Sequence, residues 1–433
     1  MPFLAKWYDF RDLGNTVQAL IDQFDDWGAP DWVPYVVVSA IGVVGILLWI
    51  LVSQLAFIWV ERRVIGLMHN RIGPNRVGPM GLLQGIADAI KLLLKEAITA
   101  RETDRILFWI APIAIFVPAI VGFAVIPFGE RMVLADLNVG VLFFVAIGST
   151  NTVAVFAAGW ASNNKYALIG AMRQIAMLIS YELVQVFAIL AVVIMVGSMR
   201  MSSLVDWQKD NDVWMFAIQP LAFVAFIIAG LVEVNRSPAD ESEAESEIVA
   251  GYHTEYSGIK FGFFYAAEYF ATFALCGVMV TLFFGGWTLW GAEEWIPGWL
   301  IFITKIYATF FLFIWARGTL PRLRIDQLVG FSWKFLLELM FVHILVVGGQ
   351  TLIWREQDYS AGTVLPIFAA INWALAIVLV ILWARMLGAG GPGVSGKPAV
   401  LTSEVGGLYW EGAAPQAGTA GTDRSATAEG GPN

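Results

Sequence analysis

Between Glu233 and Glu255 the chain holds seven acids, Glu233, Asp240, Glu241, Glu243, Glu245, Glu247 and Glu255. If 241–249 is helical, Glu241 and Glu245 stand four apart, as do Glu243 and Glu247. Like charges at that spacing repel, and each raises the other's pKa, more so near lipid. Such acids titrate as a group, which suits them to taking up and passing on protons. A solvated acidic loop is the usual fate of a charge run. Against it stand the apolar stretches on both sides, which hold this loop close to a membrane.

Other ionisable residues lie inside apolar stretches: Glu182 in Ser180-Tyr181-Glu182-Leu183, then Glu268, and Glu338 with His343. An ionised side chain at the bilayer centre costs about 2.5–3.5 kcal/mol on insertion scales, so such residues usually serve a purpose. Glu182 and Glu268 are read as functional. Glu338 can be a near-interface residue, and Lys305 a structural partner or a snorkelling side chain. Arg317, Arg322 and Arg324 crowd a later loop. Anchoring explains them adequately, but they can also pair with the carboxylates inside a polar cavity. Carboxylates strung from such a cavity into the membrane suggest a proton path.

The elements that must position these groups are apolar helices. Of 433 residues 58% are hydrophobic and 14% charged, with a mean hydropathy of +0.70. An ordinary soluble domain carries about 25% charged residues, so the solvent must largely be lipid. Nine stretches are long and apolar enough to be candidate spans: 33–60, 106–126, 139–159, 175–197, 213–232, 261–284, 299–316, 335–354 and 364–384. Every backbone group needs a partner in lipid and period-2 patterning is absent, so the fold class is an all-α polytopic helix bundle.

With the N-terminus outside, the inside segments carry 19 basic residues and the outside segments 6. That bias predicts N-out and C-in. Residues 1–32 then form an outside segment and 33–386 the bundle. The Gly-, Ala-, Thr- and Pro-rich 387–433 is expected to be a disordered inside tail. In the first inside loop, Leu82, Ile86, Ala89, Ile90 and Leu93 share one helical face, with Gln84, Asp88, Lys91 and Lys95 opposite. That spacing predicts an amphipathic helix in the interface, a surface anchor or the frame of an entrance for a lipid-soluble ligand.

A net charge of −9 argues against a nucleic-acid partner. One cysteine, Cys276, is too few for a disulfide or an iron–sulfur cluster, and His69, His253 and His343 are widely scattered. The chain is therefore expected to hold no redox centre, and no cleavable signal peptide is visible.

At its loops the sequence resembles the H-subunit family of the proton-pumping NADH:quinone oxidoreductase, respiratory complex I. The family includes the first NADH dehydrogenase membrane subunit of mitochondria. The resemblance runs from Glu61-Arg62-Arg63 through Gly73-Pro74-Asn75-Arg76-Val77-Gly78-Pro79 to Lys95-Glu96. It returns at Asn163-Asn164-Lys165-Tyr166-Ala167, Ile179-Ser180-Tyr181-Glu182, Glu243-Ala244-Glu245-Ser246-Glu247, Glu255-Tyr256-Ser257-Gly258 and Ala267-Glu268-Tyr269. Pro321-Arg322, Asp326-Gln327-Leu328 and Trp333-Lys334 complete it. The family pattern Arg-x-Pro-Phe-Asp-Leu reads Arg236-Ser237-Pro238-Ala239-Asp240-Glu241 here. Ile325 stands where Tyr is usual, and His69 where Gln is common.

The resemblance implies eight family helices plus a ninth, in a bacterial plasma membrane. It places the protein at the junction of a peripheral redox arm and a membrane arm, where it forms most of a quinone chamber. Quinone is then the substrate, and flavin mononucleotide and iron–sulfur clusters belong to partner subunits. The implied partners are quinone-site subunits of the peripheral arm, antiporter-like subunits of the membrane arm, and lipid. By motif match Arg62, Arg236, Arg317, Arg322 and Arg324, with Asp240, Glu243 and Glu268, line the chamber. Glu182, Glu233, Glu245, Glu247 and Glu255 carry the proton path. No catalysis is expected from the chain alone. A stand-alone transporter, a membrane component of a proton-coupled hydrogenase and a purely structural anchor are the rival readings.

Overall fold

The computed structural model describes residues 32–386 except 131, 241–248 and 358–359, together with the isolated residues 21, 22, 24 and 30. Glu241, Glu243, Glu245 and Glu247, nearly all of the expected outside segment 1–32, and the expected tail 387–433 lie outside them.

The described chain is all-helical, its one β-pairing an isolated bridge between Gly129 and Met132. The helices are α1 (Trp32–Met68), α2 (Gln84–Leu94), α3 (Arg105–Val121), α4 (Gly140–Ala161), α5 (Lys165–Val196), α6 (Met201–Asp210) and α7 (Met215–Ile218). They continue with α8 (Pro220–Glu233), α9 (Ile259–Phe283), α10 (Gly298–Thr319), α11 (Ile325–Phe331), α12 (Leu337–Gln357) and α13 (Ala361–Met386). A π-helical turn, Ser332–Leu336, joins α11 to α12. Eight of the described helical segments are long and apolar enough to cross a membrane.

The fifth expected span is built differently. Gln219, at φ −124° and ψ 66°, leaves the helical range, and Pro220, which has no backbone N–H, opens a new helix at its first position. The stretch divides into the single turn α7 and the 14-residue α8, about 21 Å long against a hydrocarbon core of about 30 Å. The carbonyls left open at the break have partners on the last helix. Asn372 Nδ2 donates to Ile218 O at 3.0 Å, and Trp373 Nε1 to Ala217 O at 3.0 Å. Irregular backbone at membrane depth is tolerated where neighbours satisfy it in this way.

Several helices outrun their apolar stretches. α1 is 37 residues, about 55 Å, so Glu61, Arg62 and Arg63 ride on its last turns rather than in a loop. α10 likewise continues through Arg317. α9 is the innermost span, with 83% of its most apolar window buried, against 11% for α1. The exposed side chains of α1, among them Val36, Leu48 and Val52, are apolar except for Ser39, as lipid as solvent requires.

Lys305 is a structural residue. Its Nζ donates to the carbonyls of Phe284, Gly286 and Thr288 at 2.6, 3.0 and 2.5 Å, and sits 4.8 Å above the Trp214 ring. It ties the segment after α9 to α10.

Candidate functional site

The turn-forming run after α1 sets the first part of the site. Gly81 has φ +78°, and a Cβ there would collide with Pro74 O, so the chain can fold back on itself only with glycine at this point. Trp59 Nε1 and Arg63 Nη1 fasten the fold by donating to Met80 O at 3.0 and 3.2 Å. α2 then starts at Gln84, with Gln84 and Asp88 half-buried and Lys91 and Lys95 exposed. Arg62 Nη1 donates to Asp88 Oδ2 at 2.6 Å, and Gln84 Nε2 to Asp88 Oδ1 at 3.0 Å. Ile86, Ile90 and Leu93 stay exposed on the other face, as the spacing predicts for an interfacial helix.

Beside Arg62 on α1, Glu61 is the centre of a buried node. It accepts Arg236 Nη1 at 2.7 Å, the Arg317 guanidinium, and the Tyr269 hydroxyl at 2.6 Å. The Arg236 guanidinium lies 4.4 Å above the Tyr269 ring, and the Tyr265 hydroxyl is 3.3 Å from that of Tyr269. The side chains of Glu61 and Arg236 are only 4% and 6% exposed. Burial is the largest effect and lowers the Arg236 pKa, but the Glu61 carboxylate acting together with Tyr269, Glu268 and Tyr265 more than offsets it and raises the guanidinium above its ordinary value. Two cations share one carboxylate, so the node carries a net positive charge.

The loop bearing Arg236 is held by the loop after α10, with Leu323 N donating to Pro238 O at 3.1 Å. Arg322 and Arg324 lie on that second loop at the surface. Of the three late arginines, Arg317 reaches the node.

The carboxylates form a second neighbourhood beside it. Glu182 on α5 accepts a hydrogen bond from Ser149 on α4. Glu233 ends α8 with Gln185 in hydrogen-bonding reach, close enough to Glu182 for the two charges to interact. Gly148 leaves room for it, since a Cβ there would sit 3.3 Å from Glu233 Oε1. Glu233 and Glu268 line one cavity with Asn151, Asn235 and Tyr252. It offers about 70 Å³ to the centres of water-sized molecules. One water needs about 10–15 Å³ on that measure, so several fit. Gln174 donates to Asn235 at the cavity's edge. Glu268 also adds its negative charge to the field at Arg236, which links the two neighbourhoods.

Asp240 lies close enough to His253 to act on its charge, but burial dominates there and depresses the imidazole to about 4. Glu255 stands apart, accepting Asn164 Nδ2 at 2.7 Å. Of the residues singled out from sequence, Arg236 and Arg317 therefore meet at Glu61, with Arg62 on the same helix. Glu233 and Glu268 line the cavity, and Glu182 stands close enough to Glu233 to act on its charge. Glu243, Glu245 and Glu247 fall outside the described residues. Sequence reasoning gave no role to Glu61, Asp88, Tyr265 or Tyr269. The available signal was an acid standing directly before two arginines where an apolar stretch ends.

Among the described residues no group of three or more His, Cys, Asp or Glu is placed to hold a metal ion. The family model described as NADH dehydrogenase matches residues 41–348. The H subunit of an NADH-quinone oxidoreductase from Dehalococcoides mccartyi strain CBDB1 is 47% identical over 351 residues, covering 81% of this chain and 95% of the relative. Its counterpart in Brevibacillus brevis is 44% identical over 331 residues, 76% of this chain and 96% of its own length. The one from Geobacillus kaustophilus is 50% identical over 287 residues, 66% and 86% respectively.

Proposed function

The chain belongs to the H-subunit family of NADH-quinone oxidoreductases, a family of multi-pass inner-membrane proteins, and on that premise we propose that it forms most of a quinone-binding chamber and couples quinone reduction to proton movement. The observation that carries the reading is the adjacency of the Arg236–Glu61–Arg317 node to the cavity shared by Glu233 and Glu268. A net positive node favours anionic character on a quinone headgroup as electrons reach it. Reduction to quinol takes two electrons and two protons. Flavin and iron–sulfur clusters in partner subunits supply the electrons.

The carboxylates are suited to answer that change in charge. Glu182 and Glu233 repel one another when both are ionised, so a proton gained by one alters the other. Their waters and hydrogen-bonding neighbours let protons move without carrying bulk solvent into the bundle. The acids at 241–247 and Glu255 extend the supply towards the inside. Protonation would reorganise the acidic segment and pass the event to antiporter-like subunits of the membrane arm. Arg62, held by Asp88, and the outward apolar face of α2 suit an entrance for a lipid-soluble quinone. Arg322, Arg324 and Asp240 shape the rim facing the peripheral arm. The N-terminus lies outside and the C-terminus inside, with 1–32 an outside segment, 33–386 the bundle and 387–433 an inside tail.

The test is Glu182→Gln in the assembled complex, reconstituted in vesicles. NADH-driven proton pumping should fall while cofactor content stays normal. Normal turnover with normal pumping would remove Glu182 from the path.

A further inference from the structure

His343 is the one side chain among the described residues with two polar atoms both sealed from solvent and without a hydrogen-bond partner. It lies in α12 and is 0% exposed. Unmade hydrogen bonds on buried polar groups cost stability, and each such group calls for an explanation.

Its surroundings can be read from the helix registers. α5 and α12 run side by side in the same direction: Ser332 Oγ donates to Ser180 O at 2.7 Å, and the Phe187 and Phe341 rings are 6.5 Å apart. His343 is therefore level with about residue 189 of α5. α8 runs the opposite way, with Gln185 near Glu233 at one end and Gln219 Nε2 donating to Ala191 O at 3.1 Å at the other. At this level α5 and α8 bury the small side chains Ala188, Ala222 and Ala225. Inward of it stand Glu182 and Glu233. Outward, on the same face of α12, Gln350 Nε2 donates to Asn372 Oδ1 at 3.1 Å. Gln219 Oε1, on the outward side as well, is also buried without a partner.

We propose that His343 is a proton relay, hydrated on both ring nitrogens, between the Glu182–Glu233 carboxylates and the Gln350–Asn372 amide pair. Gln350 is seven residues away, about 10 Å along the helix, and the carboxylate side is no farther. Two or three waters at about 2.8 Å spacing bridge each gap. A histidine whose one nitrogen is fixed by a protein hydrogen bond is locked in one tautomer. His343 is not locked. A proton arriving from a water bonds to one nitrogen, and the N–H on the other breaks as its proton passes to the next water. The ring is left as the other tautomer and returns by turning over. No electrons move.

The relay rests on the proposed function for its source of protons. The test uses the whole complex in vesicles, with wild type, His343→Leu and His343→Gln compared for cofactor content, quinone KM, turnover and protons moved per electron. Leucine removes two unmet polar groups, so assembly should survive. Both variants should keep the quinone KM and lose at least tenfold in turnover or a fixed part of the proton ratio. Either variant retaining wild-type turnover and ratio would overturn the relay alone. A wild-type complex without NADH:quinone activity would overturn the functional reading beneath it. If neither variant assembles, a density map of the wild-type complex decides. Water within hydrogen-bonding distance of both ring nitrogens supports the relay, and a dry imidazole ends it.

Discussion

Arg236 reaches across 175 residues of chain to place its Nη1 2.7 Å from the Glu61 carboxylate, where both side chains are almost wholly buried. One residue sits in the loop between the fifth and sixth expected spans, and the other towards the C-terminal end of the helix that holds the first. Their pairing fixes where the positive node stands relative to the cavity at Glu233. Because Arg317 and Tyr269 share the same carboxylate, its loss cannot be absorbed by one partner.

Glu61→Gln should therefore destabilise the chain by about 3 kcal/mol, as expected when one partner of a buried ion pair is removed. The buried Arg236 guanidinium and the half-buried one of Arg317 would face each other with no anion between them. Thermal denaturation of the purified complex checks the stability, and quinone KM should rise in the same preparation. An unchanged melting temperature would show the node to be hydrated and weak.

Tyr269→Phe removes one charge-assisted hydrogen bond and keeps the ring beneath Arg236. The expected loss is about 1.5–3 kcal/mol, smaller than for Glu61→Gln. Measuring both single variants and the double variant gives their coupling, which should be well above zero because both act on one carboxylate. Simple additivity would contradict the shared node.

His253 gives a pH dependence with a definite sign. Its folded pKa is about 4, below the ordinary value of 6.5, because burial disfavours the imidazolium. The unfolded chain thus takes up a proton at higher pH than the folded one. The stability contributed by neutral His253 is fully present above about pH 6.5 and is lost as pH falls towards 4. The Asp240 charge opposes the shift, and the aromatic rings of Tyr252, Phe261 and Phe264 surround the imidazole. His253→Gln should flatten the melting temperature between pH 6.5 and 4.5. An identical slope in wild type and variant would assign the effect elsewhere.

Lys305→Met should lower the melting temperature without changing quinone KM. It deletes three hydrogen bonds to carbonyls and leaves those carbonyls unmet, about 18 Å along α10 from the Arg317 of the Glu61 node. Intact stability with altered quinone kinetics would reverse the structural assignment of this lysine.

The spans were readable because charge-free runs of about 20 residues have few alternatives in a chain this apolar. The break at Gln219 is the exception, and neither hydropathy nor the presence of Pro220 singles it out, since Pro112, Pro118 and Pro366 lie inside unbroken helices. The interfacial helix was legible from the period of Ile86, Ile90 and Leu93. Glu182, Glu233 and Glu268 announced themselves as acids in or beside apolar sequence, and the packing of α4, α5, α8 and α9 brings Glu233 and Glu268 to one cavity with Glu182 near Glu233. Glu61 was hidden for a physical reason. An acid beside two arginines at the end of a span looks like interfacial anchoring until the helix is seen to carry it onward, into contact with residues 175 to 256 positions later.

The broken fifth span has a consequence for how the protein is made. The carbonyls of Ala217 and Ile218 are satisfied by side chains 154 to 156 residues downstream. At a synthesis rate of about 5–20 residues per second, those groups leave the ribosome roughly 8–30 s before Asn372 and Trp373 exist. During that interval the nascent segment must rest against water, headgroups or the insertion machinery. The last helix, beyond the region matched by the family model, thereby sets the moment at which the middle of the chain can settle into lipid.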